Sequence, residues 1–340
     1  MSKKNSSVIL KNQFKDYKDL LNIYSLFSKK IKNLKKDLFL VAVSGGPDSL
    51  ALTALIKSYS LKNTCKVYYV LIDHNLRKNS SIEAKLVKNL LKKFKINLNI
   101  LKNKKKIVKN IQSEARKIRY ELLTTFCRKK NVKIIITAHN LEDQVETFFI
   151  RLSRGSGLQG LSSMKQTNKI EKNINLFRPL LDIKKNQLIK ISKLIFGRYY
   201  KDPSNQNTKY LRTRIRKLKK SLEFSGINYE RISQSIKNLA SSRDTLNLYF
   251  DKIYKDIAVK TKNKIEIDLK GLASINQEMK IKVFKKSIQN LTNAYYSPRS
   301  KKVVNLINQI QVNKNRKHNL GGCVILKEKK LIILKKENKK

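Results

Sequence analysis

The chain has 340 residues, 40% of them hydrophobic, which is enough for packed cores in two or three domains of ordinary size. Its 77 Lys and Arg residues against 24 Asp and Glu residues give a formal net charge of +53, which favours a polyanionic partner such as RNA or DNA. Codon bias in an AT-rich genome would also produce a chain rich in Lys, Asn and Ile without Trp, so the charge permits this partner without proving it.

Other features of the composition exclude several classes of protein. Cys65, Cys127 and Cys323 are isolated, which argues against zinc, an iron–sulfur centre and a disulfide framework. No apolar run approaches the ~18 residues of a membrane span. Residues 1–30 are basic, but polar residues interrupt their apolar stretches, so a secretory signal is not indicated. We expect a cytoplasmic protein without a membrane partner, beginning with an amphipathic helix at about residues 14–31.

From Leu38 onward, apolar runs alternate with longer helical patterns. The predicted strands are Leu38–Val43, Lys66–Asp73, Ile96–Leu101 and Val132–Ala138, and the predicted helices are Ser49–Ser60, Ser80–Phe94, Ile111–Lys129 and Leu141–Leu152. This alternation predicts an α/β fold, a doubly wound parallel sheet with helices on both faces. Ligands of such sheets bind beyond the carboxyl ends of the strands.

The loop after the first strand has the pattern of a phosphate site. It consists of Ser44, Gly45, Gly46, Pro47, Asp48 and Ser49. Adjacent glycines let the backbone approach an anion, and the N–H groups of a first helical turn carry partial positive charge. Asp48 is unusual beside an anion and indicates a metal ion or a cation there. Neither a Walker A loop nor a G-x-G-x-x-G fingerprint is present. A glycine turn with a capping Asp and Ser is the structural alternative.

Two further strand ends carry polar groups. Asp73 and His74 follow the second strand in LIDHNLR, and His139 follows the fourth strand in TAHNLEDQVET. Asp143 and Glu146 are three residues apart and therefore share one helical face near His139. The alternative is helix capping, because acidic residues in a first turn complement the helix dipole.

Arginines in two segments suit phosphate, since each guanidinium offers a fork of donors. Arg151 and Arg154 precede a loop with three glycines, and Arg116 and Arg119 share one face of a predicted helix. A flexible loop and a solvated basic face are the respective alternatives.

The second half of the chain is predicted to be mainly helical. Residues 178–181 and 202–205 are turn signals, residues 209–220 are dense in Lys and Arg, and residues 222–312 follow helical patterns. Examples are Tyr229–Tyr254 and Gln277–Leu291, and a terminal β-hairpin is predicted at Cys323–Leu326 and Lys330–Leu334. The predicted domains are an N-terminal helical extension (1–36), an α/β domain (37–205), a helical region (206–312), and the hairpin with a basic tail (313–340).

Together these motifs resemble the tRNA(Ile)-lysidine synthetase family of the PP-loop ATP pyrophosphatase superfamily. SGGPDS alone indicates the superfamily, and the order of LIDHNLR, NIQSEARKIRY, TAHNLEDQVETFFIRLSRGSGLQGL, FRPLL and DPSNQNTKYLRTRIR indicates the family. The resemblance covers roughly residues 38–216 and, more weakly, 318–325. Asn140 stands where the family has a second His. Asn75 replaces a Gly, and Asn tolerates the left-handed backbone conformation. The R-N-x-I-R pattern becomes RTRIR at residues 212–216.

The resemblance implies an ATP-dependent ligase, with residues 37–205 as its PP-loop ATP-binding catalytic domain and residues 206–312 as its tRNA-binding region. Such enzymes adenylate C2–O of the first anticodon cytidine of a tRNA(Ile) with a CAU anticodon, and free L-lysine then displaces AMP to form lysidine. The implied ATP-binding residues are Ser44, Gly45, Gly46, Pro47, Asp48, Ser49, Asp73 and His74, with Mg²⁺ on Asp48. The implied catalytic residues are Asp48, Arg116, His139, Asp143 and Glu146. The implied tRNA- and substrate-binding residues are Arg77, Arg119, Arg151, Arg154, Arg212, Arg214 and Arg216.

Within that set, Asp143 and Glu146 are expected to bind the cationic lysine, and one of them is expected to accept its proton. Three alternatives stay open at this point: a tRNA thiolase, an amidating synthetase, and a non-catalytic RNA-binding protein. Scattered cysteines argue against the first, the lack of a glutaminase-like segment against the second, and an intact Asp48 with both glycines against the third. The oligomeric state stays open, a homodimer included.

Overall fold

The computed structural model describes residues 17–337 apart from 77–78, 106, 108–109, 201–206, 295–296 and 313–316. The chain forms two compact units, Met1–Ala240 and Ser241–Lys340. No helix in the described parts is long and apolar enough to cross a membrane. The four functional domains expected from the sequence stay a prediction, and the boundary expected near residue 205 lies outside the described residues.

The first unit contains a six-stranded sheet covered by helices. Its strands are β1 Leu38–Val43, β2 Lys66–Asp73, β3 Leu98–Lys102, β4 Ile134–Ile136, β5 Thr167–Glu171 and β6 Ile174–Phe177. Its helices are α1 Lys18–Lys32, α2 Pro47–Ser60, α3 Ser80–Lys92, α4 Ile111–Lys130, α5 Leu141–Leu152, α6 Leu158–Leu161, α7 Lys185–Phe196, α8 Leu211–Lys217, α9 Lys219–Phe224 and the start of α10 Tyr229–Ile257.

Strand order in this sheet is β3-β2-β1-β4-β6-β5, and only the pair of β5 with β6 is antiparallel. Strand β1 lies between β2 and β4, where Val43 pairs with Leu71 and Val41 pairs with Ile136. The chain turns to opposite sides of β1 at this point, which is the switch point where α/β sheets bind ligands. The three polar strand ends therefore meet at one edge, and the predicted fold class is confirmed.

Successive side chains of β1 point to opposite faces of the sheet, which explains how both faces are covered. Phe39, Val41 and Val43 enter the core under α1, α2, α3 and α7. Leu40 enters the opposite core, which contains Leu123 of α4. A strand buried on both faces reads as a continuous apolar run, as LFLVAV does.

The second unit packs helices on a five-stranded antiparallel sheet of order β7-β8-β11-β10-β9. Its strands are β7 Ala258–Lys260, β8 Lys264–Asp268, β9 Lys317–Leu320, β10 Cys323–Glu328 and β11 Leu331–Lys336, and its helices after α10 are α11 Leu269–Ala273, α12 Gln277–Thr292 and α13 Ser300–Val312. Its core includes Ile265, Phe284, Ile325 and Ile332.

The predicted hairpin is confirmed as β10 and β11, but it belongs to a larger sheet because β8 pairs with β11 and β9 pairs with β10. The helical prediction for residues 222–312 is wrong at β7 and β8. The alternation in KIEID places Ile265 and Ile267 in the core, which is a two-residue period typical of a strand. The strands β5 and β6 were also missed, whereas the predicted Leu141–Leu152 helix is confirmed residue for residue.

Candidate functional site

The SGGPDS loop joins β1 to α2 through a backbone conformation that suits glycine. Gly45 has φ of +82°, and a Cβ placed there would lie 2.6 Å from Cγ2 of Val87. Gly46 is the N-cap of α2 and Pro47 occupies its first turn. The first-turn N–H groups lack partners within the helix, so this loop presents donors to an anion beyond β1.

The two serine hydroxyls shape the loop from within. The Ser49 hydroxyl donates to the carbonyl of Gly46 (3.0 Å) and accepts from both the amide and the hydroxyl of Ser44 (3.1 Å each). Ser44 and Ser49 are both among the residues that the family resemblance implies for ATP binding. In this structure their protons are used inside the loop, which leaves the backbone N–H groups as its principal donors.

Asp48 lies partly buried among other carboxylates. Burial raises the pKa of its carboxyl to about 6; Lys185 lowers it, and Asp143 and Glu142 raise it further. Nζ of Lys185 stands 4.0 Å from Oδ2, whereas the buried Oδ1 has no hydrogen-bond partner among the described residues. A buried carboxylate oxygen without a partner fits a cation ligand.

Asp73 and His74 at the end of β2 are held by the protein itself. Oδ1 of Asp73 accepts from the amide of Asn75 (3.0 Å), and Oδ2 accepts from the hydroxyl of Ser81 (2.6 Å). Burial alone would raise the pKa of Asp73, but hydrogen bonds from Ser81 and Asn75 lower it below its usual value. Asp73 therefore organises the loop, and Asn75 has the left-handed conformation expected for it, with φ of +53°.

Both histidines at the strand ends are neutral at physiological pH. Burial lowers the pKa of His74 to about 4, assisted by Arg119, whose Nη2 lies 3.4 Å from Nε2 of the ring. Burial likewise lowers the pKa of His139 to about 4, with Asp143 opposing the change and Arg178 adding to it. Nδ1 of His139 lies 3.0 Å from the Thr137 hydroxyl, so a tautomer accepting that bond carries its proton on Nε2.

Asn140 caps α5. Its Oδ1 accepts from the amide of Asp143 (2.9 Å), and Oδ2 of Asp143 accepts from the amide of Asn140 (3.1 Å). This reciprocal pair is a capping box. The capping alternative considered for the acidic residues is thus present for Asp143, and the residue in place of the family's second His has a structural task.

Glu146 is almost fully buried, with 1% of its surface exposed, and α8 supplies its partners. Nε and Nη2 of Arg216 donate to its two carboxylate oxygens (2.7 and 3.0 Å), and Nε of Arg212 lies 3.2 Å from Oε2. Burial raises the pKa of Glu146 while these arginines oppose the rise, and the hydrogen bonds raise the pKa of Arg216. Two arginines expected on tRNA phosphate thus lie beside the expected lysine-binding carboxylate.

The other arginines expected from the sequence have varied surroundings. Arg151 donates from Nη1 to the carbonyls of Gly160 (2.7 Å) and Ser163 (2.8 Å), so it holds the glycine loop in place. Arg116 lies over the Tyr120 ring at 5.1 Å. The exposed members are Arg116, Arg119, Arg154 and Arg214, and Arg77 lies outside the described residues.

Sequence reasoning missed two cations of the site. Lys185 begins α7, and besides approaching Asp48 its amide donates to Oε2 of Glu142 (2.9 Å). Arg178 is buried after β6, donates to the carbonyl of Lys165 (2.8 Å) and contributes to the lowered pKa of His139. FRPLL, which served as a turn signal and a family motif without a role for its arginine, was the available signal for Arg178, because an Arg directly after a buried strand lies at the ligand-binding edge.

A cavity of about 380 Å³ adjoins this edge. Its lining includes Glu142, Glu146, Lys185, Arg216, Lys219 and Tyr229. Carboxylates and cations alternate around it, which suits a small zwitterion better than an apolar ligand. Within the described ranges no three His, Cys, Asp or Glu side chains are grouped to hold a metal ion without further ligands.

Comparisons with known proteins agree with this geometry. The PP-loop domain family matches residues 20–222. A tRNA(Ile)-lysidine synthase of Wolbachia sp. subsp. Brugia malayi (strain TRS) is 32% identical over 329 residues, covering 95% of this chain and 74% of that protein. The enzyme of that name from Wolbachia pipientis wMel is 34% identical, covering 88% and 70%, and that from Orientia tsutsugamushi (strain Boryong) is 37% identical, covering 70% and 54%.

Among solved structures, the U34-tRNA thiolase NcsA from Methanococcus maripaludis matches with a TM-score of 0.56 and 17% identity, covering 65% of this chain and 79% of that one. This likeness concerns the fold. Sheet order, the glycine loop and the polar strand ends define a PP-loop ATP-utilising protein. By its similarity to relatives over nearly its whole length, the chain belongs to the tRNA(Ile)-lysidine synthase family, as the motifs had indicated.

The short distance from Gly45 to Val87 predicts that a side chain at Gly45 would strongly reduce the free energy of unfolding. Gly45→Ala should lower the free energy of unfolding by about 2–4 kcal/mol, because left-handed strain adds to a steric clash. Gly155→Ala is the matched control, since its φ is +65° but nothing lies within 4 Å of an added Cβ. It should cost only about 1 kcal/mol. Urea unfolding compares the two. Equal losses would show that Val87 does not restrict the loop, whereas partial recovery in Gly45→Ala/Val87→Ala would support the clash.

The cap on α5 predicts that restoring the family's usual residue is harmful here. Asn140→His should lower the free energy of unfolding by at least about 1 kcal/mol, because the imidazole does not replace the capping oxygen. Asn140→Asp keeps the cap but adds a buried carboxylate beside Asp48 and Asp143, so it should also lower the free energy of unfolding at neutral pH. Asn276, whose Oδ1 accepts from the amide of Met279 (2.9 Å) in α12, provides the matched control. Asn276 is exposed, so Asn276→His should cost only the cap, about 1 kcal/mol. Denaturant unfolding measures all three, and an unchanged Asn140→His variant would contradict the cap.

Proposed function

We propose that this protein ligates free L-lysine to C2 of the first anticodon cytidine of a tRNA(Ile) with a CAU anticodon. ATP is consumed, and AMP and pyrophosphate are released. The observation that carries the proposal is similarity to tRNA(Ile)-lysidine synthases along 95% of the chain. The meeting of SGGPDS, the β2 and β4 ends and the start of α5 at one sheet edge supports it.

The first step activates a poor leaving group. O2 of the cytosine attacks the α-phosphorus of ATP, the bond to the β-phosphate oxygen breaks, and pyrophosphate departs. The loop from Ser44 to Ser49 is well placed to hold pyrophosphate, because its N–H groups and the N-terminus of α2 favour negative charge. In the second step the lysine ε-amine attacks C2, and the C2–O bond breaks to release AMP.

Mg²⁺ is the proposed metal of the adenylation step. It is commonly bound by one or two carboxylates together with substrate phosphates and water, which agrees with the lack of a protein-only ligand cluster among the described side chains. Asp48 is the residue we assign to it, since its Oδ1 is buried without a described partner beside the phosphate loop. When bound, the ion would neutralise charge that develops on the phosphates.

Lysine is proposed to bind beside Asp143 and Glu146, and the cavity that Glu146 lines carries both signs of charge. Glu146 already receives Arg212 and Arg216, so Asp143 is the stronger candidate to accept the ammonium proton before attack. His139 is neutral at physiological pH and provides a hydrogen bond to the reacting oxygen without an added charge. Arg116 is assigned to the adenylate phosphate.

The tRNA is proposed to present an unpaired cytidine, because single-stranded loop bases leave their stack at low cost. Exposed Arg119, Arg154 and Arg214 are assigned to its backbone, whereas Arg151, Arg212 and Arg216 hold the protein edge of the site. Cys65, Cys127 and Cys323 are free thiols in separate parts of the structure, which suits a reducing cytoplasm and disfavours thiolation.

The proposed reaction predicts pyrophosphate release that requires all substrates. Mixing protein, ATP, Mg²⁺ and a CAU-anticodon tRNA(Ile) transcript should release pyrophosphate, and lysine should allow repeated turnover with AMP formed in equal amount. A transcript with a guanosine in place of the first anticodon cytidine is the control and should release none. Pyrophosphate from ATP and lysine alone, or binding of tRNA without any release, would contradict the proposal.

The raised pKa of Asp48 predicts a pH dependence for adenylation. The ionised carboxylate is needed to hold Mg²⁺, so the single-turnover rate should rise with pH and reach half its maximum near pH 6. A carboxyl at its ordinary pKa of 3.8 would leave the rate flat between about pH 5 and 7.

Asp48→Asn tests the same assignment without a pH change. It should reduce adenylation by about 10²- to 10³-fold while tRNA binding and its salt dependence persist. Asp19→Asn, an exposed carboxylate in α1, is the control and should retain the wild-type rate. Equal loss of tRNA binding and adenylation in Asp48→Asn would count against the metal role.

A further inference from the structure

Phe224 is an aromatic side chain displayed almost completely to solvent. It is the last residue of α9 and is 95% exposed, the largest exposure among the large hydrophobic residues described. Burying a ring of this kind is normally favourable, and single exposed apolar residues need no explanation by themselves. The residues around Phe224 indicate which kind of partner covers its ring.

The backbone of α8 and α9 turns Phe224 outward. The two helices follow each other almost without a break, since Leu218 between them has helical angles and the amide of Leu222 bonds to its carbonyl (3.0 Å). Leu222 packs against a buried cluster that contains Leu141 and Val145 of α5. Two residues further along a helix the side chain points about 200° away, so Phe224 faces solvent while the same helix stays anchored.

The solvent face of this segment is basic. Arg214, Lys217 and Lys220 are exposed, and they lie about three, two and one helical turns before Phe224, respectively. The nearest carboxylate along the chain, Glu223, lies 3.8 Å from Nζ of Lys219. An exposed ring beside three exposed cations matches a single-stranded nucleic acid, in which phosphates attract the cations and an unstacked base covers the ring. An apolar protein partner would have to bury those cations.

We propose that Phe224 stacks on an unpaired base of the substrate tRNA, in the same loop as the reacting cytidine, while Arg214, Lys217 and Lys220 contact its phosphates. The inference rests on the proposed function, which supplies the tRNA. Arg216 reaches the site through Glu146 (2.7 Å), and Phe224 follows it by eight residues, about 12 Å along the helices. That separation places Phe224 beside a neighbour of the reacting nucleotide, outside the reaction centre.

The affinity of the full chain for a tRNA(Ile) anticodon stem-loop tests whether Phe224 stacks on a base. Phe224→Ala should weaken binding about 5- to 150-fold, the range of one lost base stack, with the slope of log K against log salt unchanged. Phe224→Trp should retain wild-type affinity, and Phe224→Leu should lose as much as Ala because it keeps the apolar surface without the flat ring. Lys217→Ala should weaken binding and reduce the salt slope by about 1.

A stability control and a probe of the contact complete the experiment. Since Phe224 is exposed, Phe224→Ala should unfold at the wild-type urea concentration, and Val312→Ala, another exposed apolar residue (81%), should bind RNA normally. Stem-loops carrying 2-aminopurine at successive unpaired positions should show one position whose fluorescence changes with wild type and not with Phe224→Ala.

The outcomes separate the two proposals. The stacking inference alone is overturned if Phe224→Ala binds the stem-loop as tightly as wild type does. In that case the wild-type protein still binds the stem-loop and releases pyrophosphate with full-length tRNA. Full affinity in Phe224→Leu also overturns it, because that result indicates simple apolar contact. Failure of the wild-type protein to bind or adenylate the tRNA overturns the proposed function and this inference with it.

Discussion

The buried ion pair between Glu146 and Arg216 is the interaction on which the site depends most. A carboxylate with 1% of its surface exposed is costly to bury unless a charged donor compensates it, and removal of one partner from such a pair typically costs about 3–5 kcal/mol. Arg216 meets both oxygens and Arg212 supports it. The pair therefore holds α8 against α5, and the basic segment that follows α8 takes its place from this contact.

The charges around that pair explain how one site suits substrates of opposite sign. Asp48, Glu142 and Asp143 lie close enough together to influence the same pKa, and Lys185 moderates them. The glycine loop presents N–H donors on the other side of Asp48. Neutral histidines, with pKa values lowered to about 4, add hydrogen bonds without adding charge. These charges suit the proposed binding of an anionic nucleotide and a cationic amino acid at one edge of the sheet.

Much of this edge could be predicted from residue order, because parallel strands bring their carboxyl ends together. SGGPDS, Asp73 and His139 were expected to meet on that ground, and the neighbouring positions of β1, β2 and β4 confirm it. The partners of Glu146 could not be predicted in this way. Arg216 is separated from it by 70 residues, and a run of arginines reads equally well as a surface for RNA. Likewise, the motif shows only that Asn140 replaces the family's second histidine, whereas its capping role depends on hydrogen bonds with Asp143.

The sequence by itself determined the family, the sheet with its phosphate loop, and the residue types of the site, because these depend on local periodicity and on motifs of adjacent residues. Only the tertiary structure decided which of those residues face one another. It turned Arg212 and Arg216 inward to a buried carboxylate, left Phe224 outward among lysines, and joined the terminal hairpin to β8 and β9. Burial and charge pairing between distant segments set these choices, and neither quantity can be read from neighbouring residues along the chain.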